Sequence, residues 1–188
     1  MCTGCEGIGV FIGLQELQLH PVRFNVDIPA GEIDYQAKVS QASPLHAEGR
    51  AQLLNQSLGE IRVEGDLNVT MGAACDRCAE PAAFPVKTHF DLIYLPADSA
   101  EGEGEHEIES GSVDIGYYSG SGLVLNDLLR ETVLLALPMQ LVCSEDCKGI
   151  CPVCGQNRNQ RLCDCHPEPV DDRWSKLRDF RAEAGPRN

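Results

Sequence analysis

The sequence predicts an α+β protein: a mainly antiparallel β-sheet body with one buried helix, a C-terminal Cys-rich zinc-binding segment and a terminal helix. Three observations carry this reading. Several runs alternate apolar and polar residues with the period of two of a half-buried strand. One leucine-rich run, 127–137, has helical character. Six of the ten cysteines fall within residues 143–165. The implied organisation is a β-rich body over 8–142 and a metal-binding segment with a helix over 143–188.

Taken in order, the chain begins with a Cys2–Cys5 pair in a Gly-rich terminus. Leu17 and Leu19 alternate with Glu16 and Gln18. After Pro21, Val22, Phe24, Val26 and Ile28 alternate with Arg23, Asn25 and Asp27. Residues 14–28 are therefore expected to be extended, and Pro29-Ala30-Gly31 to turn. Ile33, Tyr35, Ala37 and Val39 predict a short strand. Two longer strands are expected over 46–54 and from Ile61 to Met71, joined by a turn at 55–59, with His46 on the surface. Phe84, Val86, Thr88, Phe90, Leu92 and Tyr94 share one face of the returning strand. The Cys75–Cys78 pair then sits at the tip of a β-hairpin.

Residues 97–112 are acidic, rich in Gly and Ser and without periodicity, which predicts a loop. Glu101, Glu103, Glu105, His106 and Glu107 have no rigid frame that would make them a cation site. Val113, Ile115 and Tyr117 predict a further strand. Asn126 is a candidate cap for a helix over 127–137, and Pro138 ends that helix. Its leucines and Val133 cover most of the circumference, so it should be buried. At 173–184, Trp174, Leu177 and Phe180 recur at helical spacing. That stripe suits a docked helix, or an exposed one that recognises RNA or a partner.

The cysteine spacing carries the chemistry. Cys151-Pro152-Val153-Cys154-Gly155 has the form of a zinc knuckle, in which two intervening residues let both sulfurs face one ion. Cys163 and Cys165 follow across a polar loop, and the two pairs can close an all-thiolate shell with Zn–S bonds of roughly 2.3 Å. Ile150, Val153 and Leu162 are the only aliphatic residues in this stretch, so the thiols have no apolar core to occupy. Cys143 and Cys147 remain. They could complete a second site with Cys75 and Cys78, which gives one structural zinc ion, or two. A redox role for Cys75–Cys78 would call for a βαβ setting, which is missing. Cys147, Cys151 and Cys154 match a radical-SAM cluster spacing, but the chain is short for that barrel and the motif lies near its end.

Composition narrows the function. The formal net charge is −14. Residues 147–188 hold eight basic and six acidic residues, so the rest of the chain carries −16. An acidic body repels phosphate and suits a basic protein face. No run approaches the roughly 20 apolar residues that span a bilayer. The N-terminal residues lack the positive charge of a signal peptide. A cytoplasmic location is expected, where paired cysteines bind metal rather than form disulfides.

The hairpin pair Cys75–Cys78, the acidic loop, the stretch DLLRETVLLALPMQLVCSEDCKGICPVCGQNRNQRLCDC and the following DDRWSKLRDF together resemble the YceD family. The likeness covers about residues 8–181 and is most specific from Asp127 to Cys165. It implies a bacterial or plastid-type factor needed for processing or stability of large-subunit ribosomal RNA, without catalytic activity. Its implied partner is that RNA or a pre-ribosomal particle, reached directly or through a protein, with neither membrane nor small-molecule substrate. Asp171-Asp172-Arg173-Trp174 departs from the family's Asp-Pro-Arg-Leu pattern and leaves the start of the last helix less fixed. Two other classes compete: a zinc-stabilised adaptor for a basic protein, and a nuclease or thiol oxidoreductase using one of five histidines. No histidine stands beside a cysteine in a catalytic motif.

Overall fold

The longest elements form one hairpin, β5 (Ile61–Ala74) and β6 (Pro81–Pro96), and everything else is placed along it. The computed structural model describes residues 10–35, 38–54, 59–97 and 114–166. The Cys2–Cys5 pair, all but the first residue of the acidic stretch 97–112, and the helix expected over 173–184 lie outside the described residues.

Both hairpin strands alternate over their full paired length, Ile61 opposite Tyr94 at the open end and Ala74 opposite Pro81 at the tip. Ile61, Val63, Leu67, Val69 and Met71 face inward from β5, with Phe84, Val86, Phe90 and Tyr94 from β6. β4 (Leu45–Leu53) pairs with the first half of β5, and β2 (Val22–Ile28) pairs with β4. β3 (Val39–Gln41) takes the same edge of β5 further on, opposite Met71 to Ala73. β7 (Asp114–Tyr118) adds to β6 in parallel. The sheet order is β2-β4-β5-β6-β7, with β3 beside β5. Because β5 and β6 outrun β4, the tip end of β5 is flanked on that edge by the short β3 alone.

A second, two-stranded sheet pairs β1 (Phe11–Gly13) with β8 (Gly122–Val124). Each strand runs directly into a helix: β1 into α1 (Leu14–Leu19), β8 into α2 (Leu125–Ala136). The backbone N–H of Leu14 donates to the Ser121 carbonyl and that of Leu125 to the Val10 carbonyl, both at 2.8 Å. The residue just before each strand thus supplies an acceptor at the start of the other's helix.

That arrangement explains three departures from expectation. Residues 14–19 are helical rather than extended. Leu17 and Leu19 are two residues apart, so a helix turns them to different sides: Leu17 is buried and Leu19 is 83% exposed. The first residue of α2 is Leu125, ahead of the expected start, and Asn126 lies inside the helix. Val124 occupies the cap position without a side-chain bond, since Val10 already serves the first N–H. The helix is buried on one face rather than all round. Leu125, Leu128, Leu129 and Val133 pack inward, while Leu135 is 77% exposed. Each buried aliphatic contributes about 1.5–3 kcal/mol. The short strand expected over 33–39 is reduced to β3, although Ile33 and Tyr35 are buried.

One row of the sheet has glycine at its two central positions. Phe24, Gly49, Gly65 and Phe90 face one another across β2, β4, β5 and β6. A Cβ on Gly49 would meet the Glu64 carbonyl oxygen and come within 2.7 Å of Phe24 Cζ. A Cβ on Gly65 would stand 2.9 Å from Phe90 Cζ. The two rings lie where the glycine side chains would be, which shields strand backbone that glycine leaves bare. Gly49→Ala should therefore cost about 1–3 kcal/mol through overpacking. The check is a lower urea midpoint with an unchanged m-value; an unchanged midpoint would contradict the packing.

Candidate metal centre

The hairpin tip meets the cysteine-rich segment, and eight cysteines gather there in two groups. Cys75, Cys78, Cys143 and Cys147 form one; Cys151, Cys154, Cys163 and Cys165 form the other. Within each group all four sulfurs lie within 4.8 Å of one another. A tetrahedral shell with bonds of about 2.3 Å has sulfur–sulfur edges of about 3.8 Å. Cys75 Sγ is 3.8 Å from Cys147 Sγ, and Cys78 Sγ is 3.8 Å from Cys143 Sγ. A disulfide requires about 2.05 Å, and all eight cysteines are free thiols. Both groups could hold a metal ion. The donor set of four soft sulfurs suits zinc. Cys147 lies apart from Cys151 and Cys154, so the three-cysteine cluster suggested by spacing is not assembled.

The same local device builds both knuckles. Ala79 donates from its backbone N–H to the Cys75 carbonyl at 2.8 Å, and Gly155 to the Cys151 carbonyl at 2.9 Å. The residue after each pair has positive φ, 60° at Ala79 and 72° at Gly155. Glycine takes this conformation freely, whereas Ala79 pays roughly 1–2 kcal/mol for it. The tight turns aim backbone N–H groups at the sulfurs.

Docking of the segment on the tip is polar. Asp76 donates from its backbone N–H to the Leu141 carbonyl at 2.7 Å, and its Oδ2 accepts the Leu141 N–H at 2.6 Å. Arg77 Nη1 donates to the carbonyls of Glu145 and Cys147 at 3.1 and 3.3 Å. The Ile150 N–H donates to the Arg77 carbonyl at 3.0 Å. Glu80 Oε1 accepts from Asn157 Nδ2 and Gln160 Nε2 at 3.1 and 2.9 Å. Asn159 Nδ2 donates to Cys147 Sγ at 3.3 Å. Sequence reasoning named the eight cysteines but missed these supporting groups. Their roles depend on contacts across 65 or more positions, or on a loop conformation, and no spacing rule marks them.

The charge balance within each group favours a cation. Burial works against the Cys75 thiolate, but backbone N–H groups of Cys143, Cys78 and Arg77 bring its thiol down to about 6. At Cys78 the Glu80 N–H favours the thiolate, yet burial and the neighbouring sulfurs push the thiol up to about 12. The N–H groups of Cys154 and Val153 hold Cys151 near 6, while the adjoining Cys154 sulfur pushes Cys165 up to about 12. The Asn159 amide also lowers Cys147; each group therefore favours some of its thiolates and resists the rest, because like charges crowd together. A divalent cation removes that resistance.

A β-rich body whose longest hairpin meets, at its tip, two four-thiol groups that could each hold a metal ion defines a cysteine-rich α+β protein. A family model described as "Large ribosomal RNA subunit accumulation protein YceD" matches residues 63–181, and the chain belongs to the YceD family. It is 26% identical over 169 residues to an uncharacterized protein of Mycobacterium tuberculosis, covering 90% of this chain and 73% of that one. It is 23% identical over 153 residues to a protein of Arabidopsis thaliana named large ribosomal RNA subunit accumulation protein YCED homolog 1, chloroplastic, covering 66% of this chain and 45% of the plant protein. With the uncharacterized protein YlbN of Bacillus subtilis it shares 25% identity over 123 residues, 63% of each chain. No solved structure matches.

Zinc added to the ion-free protein at pH 7 should release protons, because thiols held up to about 12 are protonated there and must ionise to bind. Protons compete with the metal, so affinity falls as pH is lowered. Calorimetry in two buffers of different ionisation enthalpy reads the release. Equal heats in both buffers would contradict thiol ligation.

Proposed function

We propose that this chain is a non-enzymatic, zinc-stapled bacterial factor of the cytoplasm that supports accumulation of large-subunit ribosomal RNA. It works within the pre-ribosomal particle through a basic protein partner rather than through phosphate contacts of its own. Family membership and the names of the plant relatives support the first part.

The single observation that carries the second part is charge. The chain is −14 with its cysteines counted as neutral. Four thiolates around a divalent ion keep a net negative charge, so loading both groups makes the metal module more acidic. Lys148, Arg158 and Arg161 are exposed on that module, but they stand beside two anionic shells. Such a surface repels a phosphate backbone and attracts a basic protein.

A structural rather than catalytic role for the metal follows from the closed shells: four sulfurs leave no position for a reacting water. On the outer sheet face His46 Nδ1 lies 2.9 Å from Asp27, and His89 Nδ1 lies 3.2 Å from Asp66. The open hollow beside His89, about 660 Å³, is lined by Arg23, Glu48, Arg50 and Glu64 among others, with no serine, threonine or cysteine. A histidine–carboxylate pair without a nucleophile gives no support to hydrolysis there. Among the described residues no helix is long and apolar enough to cross a membrane.

Depletion of the protein in its native host should lower large-subunit ribosomal RNA relative to the small-subunit species. An unchanged ratio would overturn the assembly role. The purified, zinc-loaded protein should leave large-subunit RNA fragments unshifted in gel mobility at physiological salt, and a salt-sensitive shift would show that it contacts RNA directly.

A further inference from the structure

The two cysteine groups are joined by more than a short linker. Residues 148–150 run from Cys147 in the first group to Cys151 in the second, between the hairpin tip and the 155–162 loop. Gly149 has φ of 69°, and a Cβ there would stand 2.8 Å from the Arg77 carbonyl oxygen. On its other side the Gly149 carbonyl accepts the Arg158 N–H at 2.9 Å, and Ile150 forms a β-bridge with Asn157.

Asn159 belongs to the loop that the second group closes, between Cys154 and Cys163, yet its side chain serves the first. Its Nδ2 donates to Cys147 Sγ at 3.3 Å, and its Oδ1 accepts the Lys148 N–H at 2.8 Å. Its own N–H is held by Asn157 Oδ1 at 3.0 Å, and Asn157 is in turn bound to Glu80. One side chain thus orients a sulfur of the first group and the backbone just after it, from a loop whose shape depends on the second.

We infer that Asn159 is the positioning residue that couples the two sites, so that zinc binds the eight cysteines cooperatively. The inference rests on the metal reading of both groups. An ion in the second group fixes the 155–162 loop and delivers the Asn159 amide to Cys147. Without that ion the loop has few apolar contacts to hold it: Val153 and Leu162 are exposed. The Cys147 sulfur then loses a donor that favours its thiolate and fixes its direction. Groups of this kind behind a metal ligand typically change affinity by about 10–100-fold. Linkage makes the effect reciprocal: an ion in the first group must strengthen the second by the same factor.

The test uses the full chain at buffered free zinc, with alkylation of individual cysteines followed by peptide mass spectrometry. Protection of Cys75 and Cys78 reads the first site, and protection of Cys163 and Cys165 the second. In the unaltered chain the two protection curves should rise together. Disabling the second site with Cys154→Ser and Cys163→Ser should move the Cys75 curve to about tenfold higher free zinc or more. Asn159→Ala, with all eight cysteines present, should separate the two curves. Asn159→Asp should behave like Asn159→Ala, because it keeps the acceptor for Lys148 but cannot donate to sulfur. In either Asn159 variant, loss of the second site should then move the Cys75 curve little further.

A Cys75 curve unmoved by loss of the second site would overturn the coupling. So would Asn159 variants whose curves still coincide. Absence of protection at Cys75 and Cys78 at every zinc concentration would instead overturn the metal reading, and the coupling with it.

Discussion

Four sulfurs packed within 4.8 Å of one another at the end of a long hairpin are the constraint on which the arrangement depends. Val142 packs against the buried Cys75, Cys78 and Cys147, but beyond its cysteines the segment from 143 to 166 buries almost no apolar surface. Its aliphatic side chains Ile150, Val153 and Leu162 are exposed. The hydrophobic effect, which holds α2 on the sheet, has little to act on here. What remains is the sulfur shell and a set of polar contacts to the tip, through Asp76, Arg77 and Glu80. An unpaired thiolate cluster is unfavourable, so a cation bound there would also supply docking energy. On the metal reading, ion binding and folding of this segment would be one process.

The sheet's part is to carry the tip at the end of its two longest strands. β5 and β6 are paired without interruption from Ile61–Tyr94 to Ala74–Pro81. Their inward residues are fixed by α2 and by the glycine row, where the Phe24 and Phe90 rings press onto bare backbone. The tip therefore offers Cys75 and Cys78 in a set geometry before the segment arrives. The second group needs no such platform, since Cys151 to Cys165 are close in sequence and close a short loop. A local site and a long-range site, sharing the linker 148–150, are a natural basis for coupling.

Much of this was legible in the sequence where one interaction dominates. Alternation located β2, β4, β5 and β6 because each has one buried face. The spacing of Cys151, Cys154, Cys163 and Cys165 announced a local shell. The first group was harder, since Cys75 and Cys143 are distant in sequence; its clue was that Cys75 and Cys78 sit at a hairpin tip. Residues 14–19 misled because so short a run fits a period of two as well as a helix. Asn126 misled because an uncapped helix start needs only an acceptor, and the Val10 carbonyl provides one from just before another strand. Asn159 carried no signal at all, as its role exists only once two loops have folded against each other.

The proposed function rests on an acidic chain and on two four-thiol groups that could each close around a metal ion. Its physical foundation is the pair of four-thiolate sites. Native mass spectrometry of the intact chain, combined with thiol alkylation, tests that foundation most directly. The account predicts the mass of two zinc ions per chain, with the eight cysteines of the two groups resistant to alkylation until a chelator is added. A chain that carries one ion or none, or whose mass reports disulfides in place of metal, would contradict it.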